Sequence, residues 1–389
     1  MTNSKKIKPL AFAYYFWPTV LLAVSGLVVS IYLSISHYRV YTDVGYKSFC
    51  AISRAINCDT VSQSPYSILL NLPVPVWGVL GYTFLLLCLL EAGSKNAAKN
   101  RLWSIVFWIC LGFGGYSVIL AMISTYLIGS YCIVCLISYG VNLALLLYAW
   151  IIHRRFSICG LIEDTREDIY YLWQTRIRSL AGAALFLVVA GLVWVFYPVY
   201  WNYQTPPFSD NIPTGMTATG HPWIGATAPI LEITEFADYQ CFQCKKMHSI
   251  LRQLVAEYPD KIRVIHRNYP MDHRFNPIVK EPFHVGSGKM ALLSIYAASK
   301  GKFWQMNDLL FSMAGKKKAI RVEALAEELD LNSAELAQAV KSRKIRYRLQ
   351  KDIFFGNKLG ISGTPAYVID GKVYLGQIPA EVLKSGMKD

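Results

Sequence analysis

Charged side chains are missing from four long stretches of this chain: Leu10–Ser36, Val74–Leu90, Leu102–Ile152 and Ser179–Gln204. A helix needs about 20 apolar residues to cross a bilayer, and a Lys, Arg or Asp at its centre costs roughly 2.5–3.5 kcal/mol. The third stretch is long enough for two spans, and Gly129-Ser130 supplies a turn between them. The pattern therefore predicts five transmembrane helices, near residues 12–34, 75–91, 103–127, 132–151 and 180–199. The first follows Lys5, Lys6 and Lys8 as a signal peptide would. Its apolar run is longer than an h-region and lacks a convincing small-residue cleavage site, so it reads as an anchor. From Tyr203 to Pro229, Pro206, Pro207, Pro213, Gly215, Gly220, Pro222 and Pro229 predict an extended tether. A soluble α/β pattern follows. Ile230–Phe236 and Lys261–Asn268 read as strands, 285–350 as helical, and 366–369 with 373–375 as a hairpin around Asp370-Gly371, before a short final helix.

Composition agrees with a chain that meets more than water. Hydrophobic residues make up 54% of its 389 residues and charged ones only 16%, against about 25% in average soluble domains. That balance excludes disorder, collagen and a small disulfide scaffold. The net charge of +14 invites a nucleic-acid reading until the basic residues are placed. Lys5, Lys6 and Lys8 precede the first span; Lys95, Lys99 and Arg101 lie between the second and third. Arg154, Arg155, Arg166, Arg176 and Arg178 lie between the fourth and fifth. With five spans all three segments share one side, the cytoplasmic one by the positive-inside rule. The charge is thus largely a topology signal, and no nucleic-acid partner is expected. The N-terminus is predicted in the cytoplasm and the soluble domain outside a cytoplasmic (inner) membrane, in a bacterial periplasm.

Nine cysteines are present, and spacing carries the signal. Cys241-Phe242-Gln243-Cys244 falls where a strand gives way to a helix, the thioredoxin-like redox arrangement. On a first helical turn the unsatisfied N–H groups and the helix dipole favour a thiolate at Cys241, leaving Cys244 to resolve mixed disulfides. Gly363-Thr364-Pro365 precedes a later strand, and Pro365 is placed to be the cis-proline beside the cysteines. The helical insert makes residues 228–389 resemble the DsbA-like branch of the thioredoxin superfamily, though Phe242-Gln243 is not the Pro-His of strongly oxidising members. A structural zinc site needs four ligands, and here only His248, expected at the surface, stands near the pair. Asp238 is close enough in sequence to act on the thiol electrostatically.

Cys50, Cys58, Cys132 and Cys135 all fall on the outer side. The segment Cys50-x7-Cys58-Asp59-x-Val61-x-x-Ser64-Pro65-Tyr66-Ser67, then Pro73, Gly78 and Cys132-Ile133-Val134-Cys135-x3-Tyr139, resembles the vitamin K epoxide reductase family over residues 15–153. Bacterial members fused to a thioredoxin-like domain are similar to the whole chain. The resemblance implies a four-helix bundle around a quinone, ubiquinone or menaquinone. It also implies roles: Cys135 contacts the quinone, Cys132 exchanges with the loop pair, Cys58 meets Cys132 and Cys50 meets Cys241. Ser64 and Tyr139 match positions near the quinone; the alternative for each is an ordinary buried hydroxyl.

The expected architecture is a multi-domain chain. A membrane domain (1–155) is an all-α four-helix transmembrane bundle with an outer loop at 37–73. A cytoplasmic loop and fifth span (156–202), a linker (203–228) and an α/β thioredoxin-like domain (229–389) follow. Cys88, Cys110 and Cys159 have no sequence partner and read as structural or reduced thiols. The basic run Lys341–Arg348 reads as a solvated helix face. About 25 flexible linker residues span roughly 25–30 Å, enough for docking within one chain. The expected activity moves electrons from reduced secreted or periplasmic proteins through Cys241/Cys244, Cys50/Cys58 and Cys132/Cys135 to the membrane quinone pool. A reductive relay, a quinone-epoxide reductase, or a tethered thioredoxin-fold chaperone would use the same architecture.

Overall fold

The computed structural model describes residues 11–389 apart from 44–45, 47, 53–54, 94–101, 158–159, 203–204, 210, 314–320, 386 and 388–389. Lys5, Lys6, Lys8, Lys95, Lys99, Arg101, Cys159 and the side chains of Arg176 and Arg178 lie outside what is described. The chain folds as two compact units, one built almost entirely from residues up to Tyr200, the other from Trp201 on.

The first unit contains α1 (Ala13–Thr42), α2 (Cys58–Ser62), a short hairpin of β1 (Ile68–Leu69) and β2 (Leu72–Pro73), α3 (Val74–Ala92), α4 (Trp103–Ile123), α5 (Ile133–Phe156), α6 (Leu161–Gln174) and α7 (Arg176–Phe196). Four of these helices, α1, α3, α4 with its continuation to Ile128, and α5, are long and apolar enough to cross a membrane. Helix α7 stands where the fifth span was expected, but its described apolar part, Ala181–Phe196, is shorter than those four. Exposed Leu, Val, Trp and Phe side chains run along α1, α4, α5 and α7, the surface of a protein solvated by hydrocarbon. Gly129, at φ 68°, ends the α4 extension where a turn was expected. Helix α1 packs between α3 and α5, and α4 against α5. Gly26 of α1 lets the Tyr82 ring of α3 lie flush on its backbone, the use small residues have in membrane helix contacts.

One end of this bundle is closed by α6, an amphipathic helix that apolar run lengths do not reveal. Its buried Asp168 accepts hydrogen bonds from the Leu102 N–H (2.8 Å), the Ser104 N–H (3.1 Å) and the Ser104 hydroxyl (2.6 Å). Those N–H groups open α4 and have no partner within the helix, so a carboxylate there also meets the positive end of the dipole. Arg155, hydrogen-bonded to the Tyr15 hydroxyl at 2.6 Å, marks the same end.

The second unit is a six-stranded sheet in the order β3 (Thr214–Met216), β4 (Pro222–Gly225), β6 (Ile262–Asn268), β5 (Leu231–Ala237), β7 (Ala366–Ile369) and β8 (Lys372–Leu375). Strands β5 and β6 are parallel, joined through α8 (Phe242–Glu257); the other pairs are antiparallel. Helices α9 (Ser287–Ser299), α10 (Phe303–Met313), α11 (Val322–Glu328), α12 (Ser333–Ala339) and α13 (Arg343–Lys358) form the insert, and α14 (Ala380–Ser385) is the last of the described helices. Two apolar cores result, one holding Phe236, Tyr269 and the insert helices, the other Ile233, Val264 and the inner side of α8. Part of the expected tether belongs to this sheet. Strands β3 and β4 pair through a turn at Gly220, and Trp223 and Ile224 of β4 register against Ile265 and Val264. Proline at a strand's first position and glycine at its last made these residues read as irregular.

Replacing Asp168 by alanine strands two α4 N–H groups and a hydroxyl. The expected loss is about 2 kcal/mol, read as a lower thermal midpoint of the purified chain, with Asp168→Asn losing less.

Candidate functional site: two cysteine centres and an apolar cavity

In the membrane unit the cysteine loop is held by backbone bonds. Ile56 and Tyr131 form a parallel bridge, with the Asn57 N–H donating to the Tyr131 carbonyl (2.9 Å) and the Tyr131 N–H to that of Ala55 (2.8 Å). Cys58 begins α2, whose first turn is capped by the Asn57 side chain accepting from the Thr60 N–H at 3.1 Å. Cys132 follows Tyr131 directly and caps α5, its sulfur accepting from the Cys135 N–H at 3.3 Å. Cys58, two residues beyond Ile56, and Cys132, next to Tyr131, are thereby brought to the same place.

Cys50 and Cys58 are disulfide-bonded, with Cα atoms 5.7 Å apart. The sulfurs of Cys50, Cys58 and Cys132 all lie within 4.8 Å of one another in a buried apolar cluster with Val134, Val29 and Leu33. Three sulfurs so close could hold a soft metal, but two of them are bonded to each other, and the ligand form is the thiolate. Asp59, buried beside them, accepts from the Ser48 N–H at 3.3 Å.

Cys135 faces a cavity of about 340 Å³ inside the bundle. Along α5 its lining is Cys135, Ser138, Tyr139 and Asn142, the spacing of one helical face. Ser64 also lines it, but its hydroxyl donates to the Val61 carbonyl at 2.8 Å, so the ordinary helix-carbonyl alternative holds for that hydrogen. The cavity is mostly apolar, with a few hydroxyl and amide groups, which is the donor set a quinone ring requires.

In the soluble unit Cys241 caps α8 and Cys244 lies in its first turn, both buried. Thr364–Pro365 is cis, and the Cys241 thiol lies 3.4 Å from the Thr364 carbonyl, so the distant Gly-Thr-Pro segment does flank the pair. The Cys241 thiol is lowered to about 7, first by a hydrogen bond from Cys244 and then by the charge of His284, against burial and Asp238. Cys244 is pushed up, mostly by burial. Asp238 is fully buried. Burial pushes its carboxyl up, but His284 (3.1 Å) and the N–H groups of Met271 and Gln240 (2.6 Å each) hold it below the usual range.

His284 escaped the sequence analysis. Forty-three positions beyond the first active cysteine, it gave no local sign. His248, expected at the surface, is buried instead, its Nε2 2.7 Å from Asp308 Oδ1. It stands four residues after Cys244 and so shares that cysteine's inward face of α8. Cys110 is buried in α4 and Cys88 partly buried in α3, apart from either centre.

Comparisons with known proteins divide the chain in the same way. Residues 17–150 match the Vitamin K epoxide reductase family and residues 217–389 match Thioredoxin. The chain is 24% identical over 162 residues to a protein named Na(+)/H(+) antiporter NhaA 1 from Salinispora arenicola, covering 41% of this chain and 23% of that protein. It is 23% identical over 185 residues to Disulfide bond formation protein D of Bacillus subtilis, covering 44% of this chain and 78% of that one. A solved thioredoxin-like oxidoreductase from Silicibacter pomeroyi aligns with a TM-score of 0.37 at 23% identity, over 44% of this chain and 91% of that one. The chain thus spans about a quarter of the antiporter it matches. This is a membrane protein of two domains. The N-terminal one matches the vitamin K epoxide reductase family, and the C-terminal one is a thioredoxin-like domain.

Alkylation of Cys241 by iodoacetamide, followed on the reduced chain by mass spectrometry, should rise with pH through a midpoint near 7. His284→Gln removes a favourable charge, so the midpoint moves up and the rate at neutral pH falls roughly threefold. The folded thiol sits below its ordinary 9.0, so the stability it lends the reduced domain is present above that pH and lost as pH falls through about 7.

Proposed function

We propose that this protein forms disulfide bonds outside the cytoplasm, as a thiol oxidoreductase with a quinone as acceptor. The observation that carries the reading is the sulfur cluster: Cys132 within 4.8 Å of both loop sulfurs, one helical turn from a cysteine that lines an apolar cavity. Disulfide exchange needs a thiolate in reach of a disulfide sulfur, so electrons move only between pairs that touch.

In this scheme a substrate dithiol reduces Cys241–Cys244, becoming a disulfide. The Cys241 thiolate then attacks the loop disulfide at Cys50, releasing Cys58; Cys244 closes on Cys241, releasing Cys50. Cys58 attacks Cys132 of an oxidised Cys132–Cys135 pair, and Cys50 resolves that mixed disulfide, leaving Cys132 and Cys135 reduced. Cys135 and Tyr139 would hold a quinone in the cavity, Tyr139 by its phenol, with the backbone turn at Ser64 and the bundle walls excluding water; the quinone would supply the acceptor for the two electrons and two protons released as Cys132 and Cys135 close to a disulfide.

The distribution of basic residues supports an N-terminus in the cytoplasm, with α7 as the fifth span and the soluble domain outside, and a bacterial inner membrane is the setting this reading takes. Membership of one chain raises the effective concentration of the two domains to about millimolar. The Bacillus subtilis protein named for disulfide bond formation fits the same reading.

Purified chain, a quinone and a reduced dithiol peptide test it. Thiol loss should require the quinone and disappear in Cys135→Ala, while Cys58–Cys132 is trapped as a mixed disulfide when Cys50 and Cys135 are replaced by Ser. Undiminished turnover in Cys135→Ala would falsify the route, and a Cys50–Cys132 adduct trapped in the complementary chain with Cys58 and Cys135 replaced by Ser, with no Cys58–Cys132 adduct in the first, would reverse the order within the loop pair.

A further inference from the structure

The cavity has a polar floor that the scheme does not use. The Tyr82 hydroxyl of α3 donates to Asn142 Oδ1 of α5 at 2.5 Å, and Asn142 Nδ2 donates to the Ser117 hydroxyl of α4 at 2.8 Å. Ser117 in turn donates to the Phe113 carbonyl at 2.9 Å. Every step runs in one direction, which fixes the amide: its oxygen is held by a phenol, and one of its two N–H hydrogens is used on Ser117. The other hydrogen remains for a ligand, and Tyr82, Ser117 and Asn142 all line the cavity.

We infer that Asn142, oriented by Tyr82 and Ser117, binds the ring oxygen of the quinone that lies farthest from Cys135. This rests on the quinone reading above and adds a second anchor to it. Asn142 is seven residues beyond Cys135 on the same helical face, about 10 Å along the axis. A six-membered ring with oxygens at opposite ends fits between a sulfur and an amide so placed. The chemical class follows: a para-quinone, with two acceptor oxygens, is preferred over a ring with one. Mere helix adhesion also uses polar side chains in membranes. Adhesion alone, however, needs only the Tyr82–Asn142 bond and gives no reason for the amide to open onto the cavity.

The test is equilibrium binding to the fully reduced full-length chain in nanodiscs, where no electrons pass. The probes are decylhydroquinone and its one-oxygen counterpart decylphenol. The native chain should prefer decylhydroquinone by about tenfold, the worth of one good hydrogen bond in an apolar site. Asn142→Leu should bring that ratio to about one while decylphenol binds as before, and Ser117→Ala should lower it part of the way. An unchanged ratio in Asn142→Leu overturns the inference and leaves the quinone site standing. Equal weakening of both ligands with a lower thermal midpoint assigns Asn142 to adhesion and overturns it too. Failure of the native chain to bind either ligand removes the quinone reading itself. Should Asn142→Leu not fold, Asn142→Thr keeps a hydroxyl for Ser117, withdraws the amide and gives the same ratio to read.

Discussion

How close the sulfurs of the membrane domain lie to one another is set by two backbone hydrogen bonds. The bridge between Ile56 and Tyr131 ties an irregular loop to the residue just before α5. Cys58 and Cys132 then follow it on their two strands, one opening α2 and the other capping α5. A loop without that bridge would hold its disulfide at a distance from Cys132 set only by chain flexibility. The Cys-x-x-Cys spacing does the complementary task. Two residues separate Cys132, packed among the loop sulfurs, from Cys135, which lines the cavity, so a single helical turn joins a thiol facing the loop to one facing the cavity.

The thioredoxin-like domain solves a related problem by other means. Its thiolate is favoured by the second cysteine's hydrogen bond and by a charge that arrives from a separate segment, His284. The same imidazole sits against Asp238, which also gathers the N–H groups of Gln240 and Met271 and the hydroxyl of Ser287. One buried carboxylate thereby fixes the loop before the cysteines, the loop after β6 and the start of α9. A carboxylate alone so near would oppose the thiolate. Paired with His284, whose charge acts on the thiol more strongly, its opposition is outweighed while its geometric role remains.

How much of this was legible depends on the range of each signal. Uncharged runs and close cysteine spacing are local properties, and the four long spans and the Cys-x-x-Cys helix followed from them directly. The cysteine constellation with Ser64 and Tyr139 was legible as a resemblance because its spacing is dense. What escaped were partners brought together from far apart. Asp168 reads as one acid in a charged helix until it is found beneath the start of α4. His284 and Asp238 are neighbours only after a parallel crossover and a loop. Strands β3 and β4 were hidden by the prolines and glycines that allow a tight hairpin at a sheet edge. His248 could have been found from periodicity alone, since it continues the inward face begun by Cys244.

The helical period also explains why a redox centre and a ligand cavity share one element. On α5, positions 135, 138, 139 and 142 recur at three- and four-residue spacing, so sulfur, hydroxyl, phenol and amide line up on one face. One inserted residue would turn everything beyond it by about 100°, swinging Asn142 away from Tyr82 while leaving Cys132 against the loop. The polar groups would then face lipid, where an unsatisfied amide costs several kcal/mol. The register of this one helix is therefore held at both ends, by the loop bridge at Tyr131 and by the hydrogen-bonded chain from Tyr82 to Phe113, and the sulfur-to-cavity geometry lies between them.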